Sequence, residues 1–203
     1  HVRMLRMDDS DAVAFLEAEN AWLDKDGRSQ MQELRRVTVM TLPQNEWMMV
    51  IDAQFAPAKG VPEVVLGETA FGMIGVRMAK SIGVHDGGGT IRNSEGEVDE
   101  AGCFRKPARW CDYSGPITAS ASEGVTLMDH PQNLNHPVPF HVRNDGWMGA
   151  ALTFPGAHTI TPAAPLRLRY GLYVHSGVPA IDVLQKQWES FAATSFEEFP
   201  AKK

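Results

Sequence analysis

The feature that most constrains this 203-residue chain is a hydrophobic period of two that recurs over much of its length. Alternation of apolar and polar residues turns one face of an extended segment toward a core and the other toward water, a pattern a helix cannot use. Residues 12–22, 33–42, 47–55, 71–78, 124–128 and 166–175 alternate or run apolar over strand length and are rich in Val, Thr, Ile and aromatic residues. The opening Val2-Arg3-Met4-Leu5-Arg6-Met7 reads the same way. Turn formers separate these segments, among them Asp24-Lys25-Asp26-Gly27, Leu42-Pro43-Gln44-Asn45, Asn93-Ser94-Glu95-Gly96 and Asn144-Asp145-Gly146. Short strands joined by such turns predict an all-β fold, an antiparallel β-sandwich. Toward the end the period changes. Ile181, Leu184, Gln185, Trp188 and Phe191 have helical spacing, with Pro179 near the first turn, and predict one short C-terminal helix packed on the sheets. No repeat or linker interrupts the chain, so residues 1–203 are expected to form a single β-sandwich domain.

Composition narrows the function classes. The apolar fraction of 43% and charged fraction of 22% are those of a soluble globular protein. A formal net charge of -6 with scattered Lys and Arg argues against a nucleic-acid partner or an anionic membrane surface. No apolar run approaches the roughly 18 residues of a membrane helix. Two cysteines, Cys103 and Cys111, do not make a disulfide framework. The chain opens on His1, inside strand-like sequence, and is expected to lack strands that precede it.

Three segments carry chemically able side chains. Residues 129–143 hold three of the seven histidines, three prolines and two asparagines. Each proline removes a backbone donor and biases its predecessor away from the helical region, so this is an ordered loop or strand edge. His130, His136 and His141, with Asp129, are candidate ligands of a divalent metal, because neutral imidazole is a common donor. In a competing reading His130 and His136 are structural residues of a tight loop and His141 faces inward on the next strand. In a third, one histidine is a general acid or base oriented by Asp129 or Asp112. Residues 105–116 read either as a site or as a core strand with its turn. As a site, Trp110 and Tyr113 form a platform for an apolar sugar face and Lys106, Arg109 and Asp112 supply hydrogen bonds. Otherwise Trp110 is core, Asp112 and Ser114 prepare the turn, and Lys106 and Arg109 are solvated. Residues 81–96 are glycine-rich but contain neither phosphate-loop motif. They read as a hairpin connection or as a flap carrying His85 and Asp86.

Longer blocks carry a resemblance. Trp110-Cys111-Asp112-Tyr113-Ser114-Gly115-Pro116 is followed by Gly124-Val125-Thr126-Leu127-Met128-Asp129-His130-Pro131 with Asn133, then by His136-Pro137 and Pro139-Phe140-His141-Val142-Arg143. Upstream stand Gly67-Glu68-Thr69, Phe71-Gly72, Ile74-Gly75-Val76-Arg77 and the glycine-rich block from Gly88 to Gly96. In this order they resemble the PmoA-like family of soluble bacterial proteins, which bears the label methane oxygenase. The chain offers no membrane segment, so methane oxidation is not carried over. The resemblance implies a carbohydrate setting, since members stand alongside sugar dehydrogenases, and a bacterial cytoplasm or periplasm. Members run longer at the N-terminus, where further histidines and an aspartate lie. This chain has Phe140 where the family has Trp, Phe104-Arg105 where it has Trp-Gly, and Leu152-Thr153-Phe154 where it has Asn-Pro-Phe.

The leading expectation is a hydrolase or lyase acting on a glycoside or modified sugar from a sandwich pocket. Asp112, His130, His136, His141 and Arg143 form its polar wall. His130 or His141 transfers the proton, Asn133 and Arg143 hold substrate or developing charge, and Trp110 stacks on the ring, with Tyr113, Lys106 and Arg109 beside it. The first alternative is a non-catalytic carbohydrate-binding module that depends on Trp110. The second is a copper-dependent polysaccharide oxidoreductase chelating copper through His1. The expected partner is a small molecule or an oligosaccharide, and a homo-oligomer is compatible with the sequence.

Overall fold

A computed structural model describes residues 1–194 and 196. Fourteen strands form in chain order among these residues: β1 (Arg3–Asp9), β2 (Val13–Leu23), β3 (Ser29–Thr41), β4 (Trp47–Pro57), β5 (Val64–Leu66), β6 (Ile74–Arg77), β7 (Thr90–Asn93), β8 (Lys106–Pro107), β9 (Trp110–Pro116), β10 (Ser122–Asp129), β11 (Pro139–Arg143), β12 (Trp147–Ala150), β13 (His158–Ile160) and β14 (Leu166–Ser176). Three helices join them: α1 (Val84–Gly87), α2 (Asp99–Cys103) and α3 (Ile181–Ala192). The large sheet has eight strands in the order β1-β2-β3-β4-β14-β10-β9-β7, the small sheet four in the order β6-β12-β11-β8, and β13 pairs with β5. All strand pairings within them are antiparallel. The expected all-β sandwich with one C-terminal helix is therefore present. No helix among the described residues is long and apolar enough to cross a membrane.

Alternation along β9 and β10 shows how the layers are made. Cys111, Tyr113 and Leu127 point into the core between the sheets, where they meet Phe140, Val142, Met148 and Ala150 of the small sheet. Trp110 and Met128 point the other way and meet Leu184 and Phe191 of α3, together with Met48, Val50 and Tyr173. Burying a large apolar side chain contributes about 2 kcal/mol, so both faces of the central strands are strongly committed. Helix α3 starts at Ile181 with Ala180 as its N-cap, which leaves Pro179 just outside the first turn.

The far side of the large sheet is different. β1 is exposed along its whole length, and β2 buries only Ala18. A register shift between Met4 and Arg6 bulges β1 against β2. Across the next strands, directly opposed residues alternate in charge, Glu17 with Arg36, Arg36 with Asp52, and Asp52 with Arg169. Arg36 bonds the Glu17 carboxylate, and Arg169 Nη1 lies 2.9 and 3.1 Å from the two oxygens of Asp52. Opposite charges directly across a sheet fix register where packing is thin.

The glycine-rich segment is more than a plain hairpin connection. Residues 80–82 make a 3-10 turn, α1 follows, and the chain enters β7 at Thr90. His85 is exposed on α1, whose backbone is tied to the β11–β12 turn by the His85 N–H to Asn144 carbonyl bond of 3.0 Å.

Candidate functional site

The sequence-named residues separate into three places. The first is a polar cluster between the large sheet and α3, centred on Asp112, which is fully buried. Its Oδ2 accepts from Arg92 Nη2 at 2.7 Å and Ser114 Oγ at 2.6 Å. Its Oδ1 accepts from Thr126 Oγ1 at 2.8 Å and His175 Nε2 at 2.8 Å. Burial pushes the Asp112 carboxyl up, but the hydrogen bonds and charge of His175, with those from Ser114 and Arg92, outweigh it and hold the group below its ordinary range. Four donors saturate both oxygens. Asp112 thus holds the sheet together and has no acceptor site left for a substrate, contrary to the catalytic expectation. The cluster is dense enough to require Gly124. A Cβ there would stand 2.5 Å from His175 Cε1 and 2.7 Å from Ser114 Oγ.

Trp110 lies on the same face with no exposed surface, and its Nε1 donates to Gln185 Oε1 of α3 at 3.1 Å. A ring closed in on both sides cannot stack on a sugar, so the platform expectation is corrected to a core residue. Tyr113 is equally buried on the opposite face. Its hydroxyl lies 3.0 Å from the Asn144 carbonyl and accepts from the Val84 N–H at 3.0 Å. Trp110 and Tyr113 are two residues of one strand's opposite faces and cannot form one surface.

The second place is the proline-rich loop. Asp129, fully buried, accepts from Asn133 Nδ2 at 2.7 Å, from His136 Nδ1 at 2.7 Å and from the Val138 N–H at 3.3 Å. Asn133 also bonds the backbone of Arg169 through both ends of its amide, each at 2.7 Å. His130 uses both ring nitrogens: Nε2 lies 2.9 Å from the Thr194 carbonyl, and Nδ1 accepts from the Gln132 N–H at 3.2 Å. Burial lowers the pKa of His130, with Arg169 and His136 acting the same way and the Thr194 carbonyl and Asp129 opposing. His136 stacks on Trp188 of α3, centroids 6.2 Å apart, and Trp188 Nε1 donates to the Asp129 carbonyl at 3.0 Å. Arg109 is also tied here, its guanidinium 5.3 Å from the Trp188 ring and 3.3 Å from the Ser94 carbonyl. His130 and Asn133 are therefore fastenings of the loop rather than a proton donor and a substrate clamp.

The third place is the outer face of the small sheet. Register puts Arg143 opposite Trp147 and Trp147 opposite Arg77 in one row, and His141, Gly149 and Gly75 in the next. Trp147 reclines over the glycine row; a Cβ on Gly75 would stand 2.5 Å from its Cη2. Phe71, exposed, stacks on His141 with centroids 4.7 Å apart and planes at 20°, and meets Trp147 edge-on at 6.4 Å. Phe104 meets His141 edge-on at 5.1 Å. His141 therefore faces outward rather than into the core. Its Nδ1 lies 3.1 Å from the Ala70 carbonyl and donates to it, which leaves Nε2 as the acceptor of a neutral ring. Arg143, half exposed, pairs with Glu100 at 3.1 Å. Lys106 is exposed on β8, but it opposes Phe140 and so does not share the face of His141.

The three histidines named as metal ligands are thus engaged separately, by Thr194, Asp129 and Ala70. Among the described residues no group of three or more His, Cys, Asp or Glu side chains is placed to hold a metal ion. The physical reason is that the loop directs His130 and His136 to α3, while β11 carries His141 to the other side of the molecule. His1 lies at the free edge of the large sheet, and the neighbouring β2 and β3 contain no second histidine for a copper chelate. An apolar-walled groove of about 320 Å³, lined by Phe15, Met40, Met48, Val50 and Phe191, runs beside α3 and contains none of the candidate catalytic, binding or metal residues expected from sequence.

Sequence reasoning missed Phe71, Phe104, Arg105 and Trp147 on the outer face, and Arg92 and His175 in the cluster. The Asn144-Asp145-Gly146 turn held a usable signal, because a tight hairpin there sets Arg143 across from Trp147. Among families, the model described as a family of unknown function (DUF6807) matches residues 1–189. No curated protein and no solved structure matches the chain.

Proposed function

We propose that this chain, which belongs to the family of unknown function DUF6807, is a carbohydrate-active protein whose saccharide site is the outer face of its small sheet. One observation carries the reading: Phe71, His141, Phe104 and Trp147 form a continuous aromatic surface, with Phe71 57% exposed and the His141 Nε2 acceptor beside it. The apolar face of a pyranose lies on such rings, and hydroxyls meet the nitrogen and the guanidinium groups of Arg77 and Arg143 at the margin. The carbohydrate class itself comes from the resemblance to the PmoA-like family. Asp112, His130, Asn133 and Trp110 are occupied in holding the fold, whereas His141 and Arg143 both stand beside Phe104 on an accessible surface.

Binding is tested by calorimetric titration of an oligosaccharide panel against the wild type and Phe71→Ala. The variant should keep the fold and weaken binding about tenfold, since an exposed ring contributes contact to a ligand and little to the core. Equal affinity of the two proteins across the panel sinks the assignment.

A second reading makes the site catalytic. The bond to the Ala70 carbonyl fixes the His141 tautomer and presents Nε2 as a proton acceptor, which is the arrangement a general base needs. Mass spectrometry of the bound oligosaccharide after incubation separates the readings. A product that the wild type forms and His141→Ala does not supports hydrolase or lyase action, and an unaltered ligand leaves a binding module.

A further inference from the structure

The aromatic surface ends in a cationic corner built around one ring. Three groups converge on Phe104: the guanidinium of Arg105 at 4.9 Å from the ring centroid, that of Arg143 at 5.4 Å, and the imidazole of His141 at 5.1 Å. Arg105 also lies 5.2 Å from Phe154. Its backbone has φ of 58°, the left-handed region that only Gly, Asn and Asp enter readily, and its N–H is fixed to the Phe140 carbonyl at 2.8 Å. The backbone bond and the two ring contacts hold an arginine in that conformation. Arg143 shares its charge with Glu100, and Arg77 shares its own with Asp145 at 3.3 Å. No carboxylate among the described residues lies within ion-pair distance of Arg105, which is exposed. In a chain of net charge -6, this corner is a local positive site beside a sugar-sized aromatic surface.

We infer that the saccharide bound on this face is an acidic one, a uronate whose carboxylate is held by Arg105 and Arg143 while its ring lies on Phe71 and His141. The inference rests on the proposed saccharide face and adds the charge of the ligand. A planar guanidinium matches a carboxylate with two parallel hydrogen bonds, and a second guanidinium across the same phenyl ring reaches the other side of the carboxylate.

The test compares a 1,4-linked trigalacturonate with the neutral galactotriose by calorimetry at low salt, using the whole chain. The acidic trisaccharide should bind at least about tenfold tighter, with the ratio shrinking as salt is raised. Arg105→Gly should bring the ratio close to one, leave the neutral affinity unchanged and not lower the thermal midpoint, because glycine accepts the left-handed backbone. Arg105→Asn, which also tolerates that backbone, should behave alike and guards against an effect peculiar to glycine. Equal affinity for the two trisaccharides in the wild type, or a ratio unmoved in both variants, overturns the inference and leaves the saccharide face standing. Loss of neither ligand in Phe71→Ala, or no binding of either by the wild type, removes the face and the inference together.

Discussion

The cluster beneath α3 and the outer face of the small sheet draw on the same kinds of residue, yet they differ in what those residues have left to offer. In the cluster Asp112 receives four hydrogen bonds, which take up its acceptor capacity, and in the proline-rich loop Asp129 receives three. On the outer face, His141 spends one nitrogen on Ala70 and keeps the other, and Arg105 has its ring contacts but no acid. A histidine, an aspartate and a tryptophan close together in sequence therefore do not mark a site. The proposed saccharide face is distinguished by unspent hydrogen-bonding capacity at an accessible surface, and that depends on strand register and on which layer covers the strand.

The contrast is broken most directly at its buried end. Asp112→Ala leaves Arg92 and His175 without their shared acceptor, and breaking such a buried pair costs about 3–5 kcal/mol. Denaturant unfolding should show that loss, while a change below about 1 kcal/mol would mean the cluster is not structural. Gly124→Ala presses a methyl against His175 and Ser114 and should cost about 2 kcal/mol, read in the same way. An unchanged midpoint would show that the strand yields more readily than its spacing of 2.5 Å allows.

Acid sharpens the difference further. The Asp112 carboxyl is held below its ordinary value, so the stability it confers is present above the usual carboxylate range and is lost as pH falls through that range and below. The folded pKa of His130 is likewise depressed, chiefly by burial, so its contribution falls away as pH drops below the ordinary histidine value of about 6.5. The protein should therefore be less stable at pH 5.5 than at pH 7.5, and His130→Gln should flatten that slope. An identical slope in the variant would assign the acid sensitivity elsewhere. The smallest expected effect belongs to the open face: Phe71→Ala should move stability by no more than about 0.5 kcal/mol while it weakens saccharide binding. A large loss of stability would turn the aromatic surface into a core and erase the comparison.

Much of the architecture was legible because it depends on local pattern. The period of two located β1 to β4, β10 and β14, and the helical spacing located α3 within a few residues. The site was less legible, for reasons that lie at long range. Whether Trp110 is a platform or core is decided by Gln185 and Leu184, which arrive on α3 some 75 residues later. Asp112 reads as a turn former until Arg92 and His175 close on it from the neighbouring chain segments. His141 was expected to transfer a proton in a pocket, to join a metal site or to face inward; Phe140 and Val142 take the inward positions on β11, and alternation then turns His141 outward. Arg105, seen in sequence as a departure from a family glycine, becomes intelligible once its left-handed backbone is known.

The bulged outer strand β1 has a consequence for self-association. Among the described residues it pairs on one side only, and it exposes Met4, Leu5 and Met7 beside open backbone groups. Such an edge is a template for fibre growth. Its charges, however, run in a fixed order, Arg3 and Arg6 first and Asp8 and Asp9 last. Identical strands stacked parallel and in register, as in many fibrils, would place arginine on arginine and aspartate on aspartate throughout the stack. Two copies meeting antiparallel would instead set basic ends against acidic ones, and a two-fold pair closes after one contact. The order of four charges thus acts as a filter on geometry, opposing the unlimited assembly and tolerating the finite one.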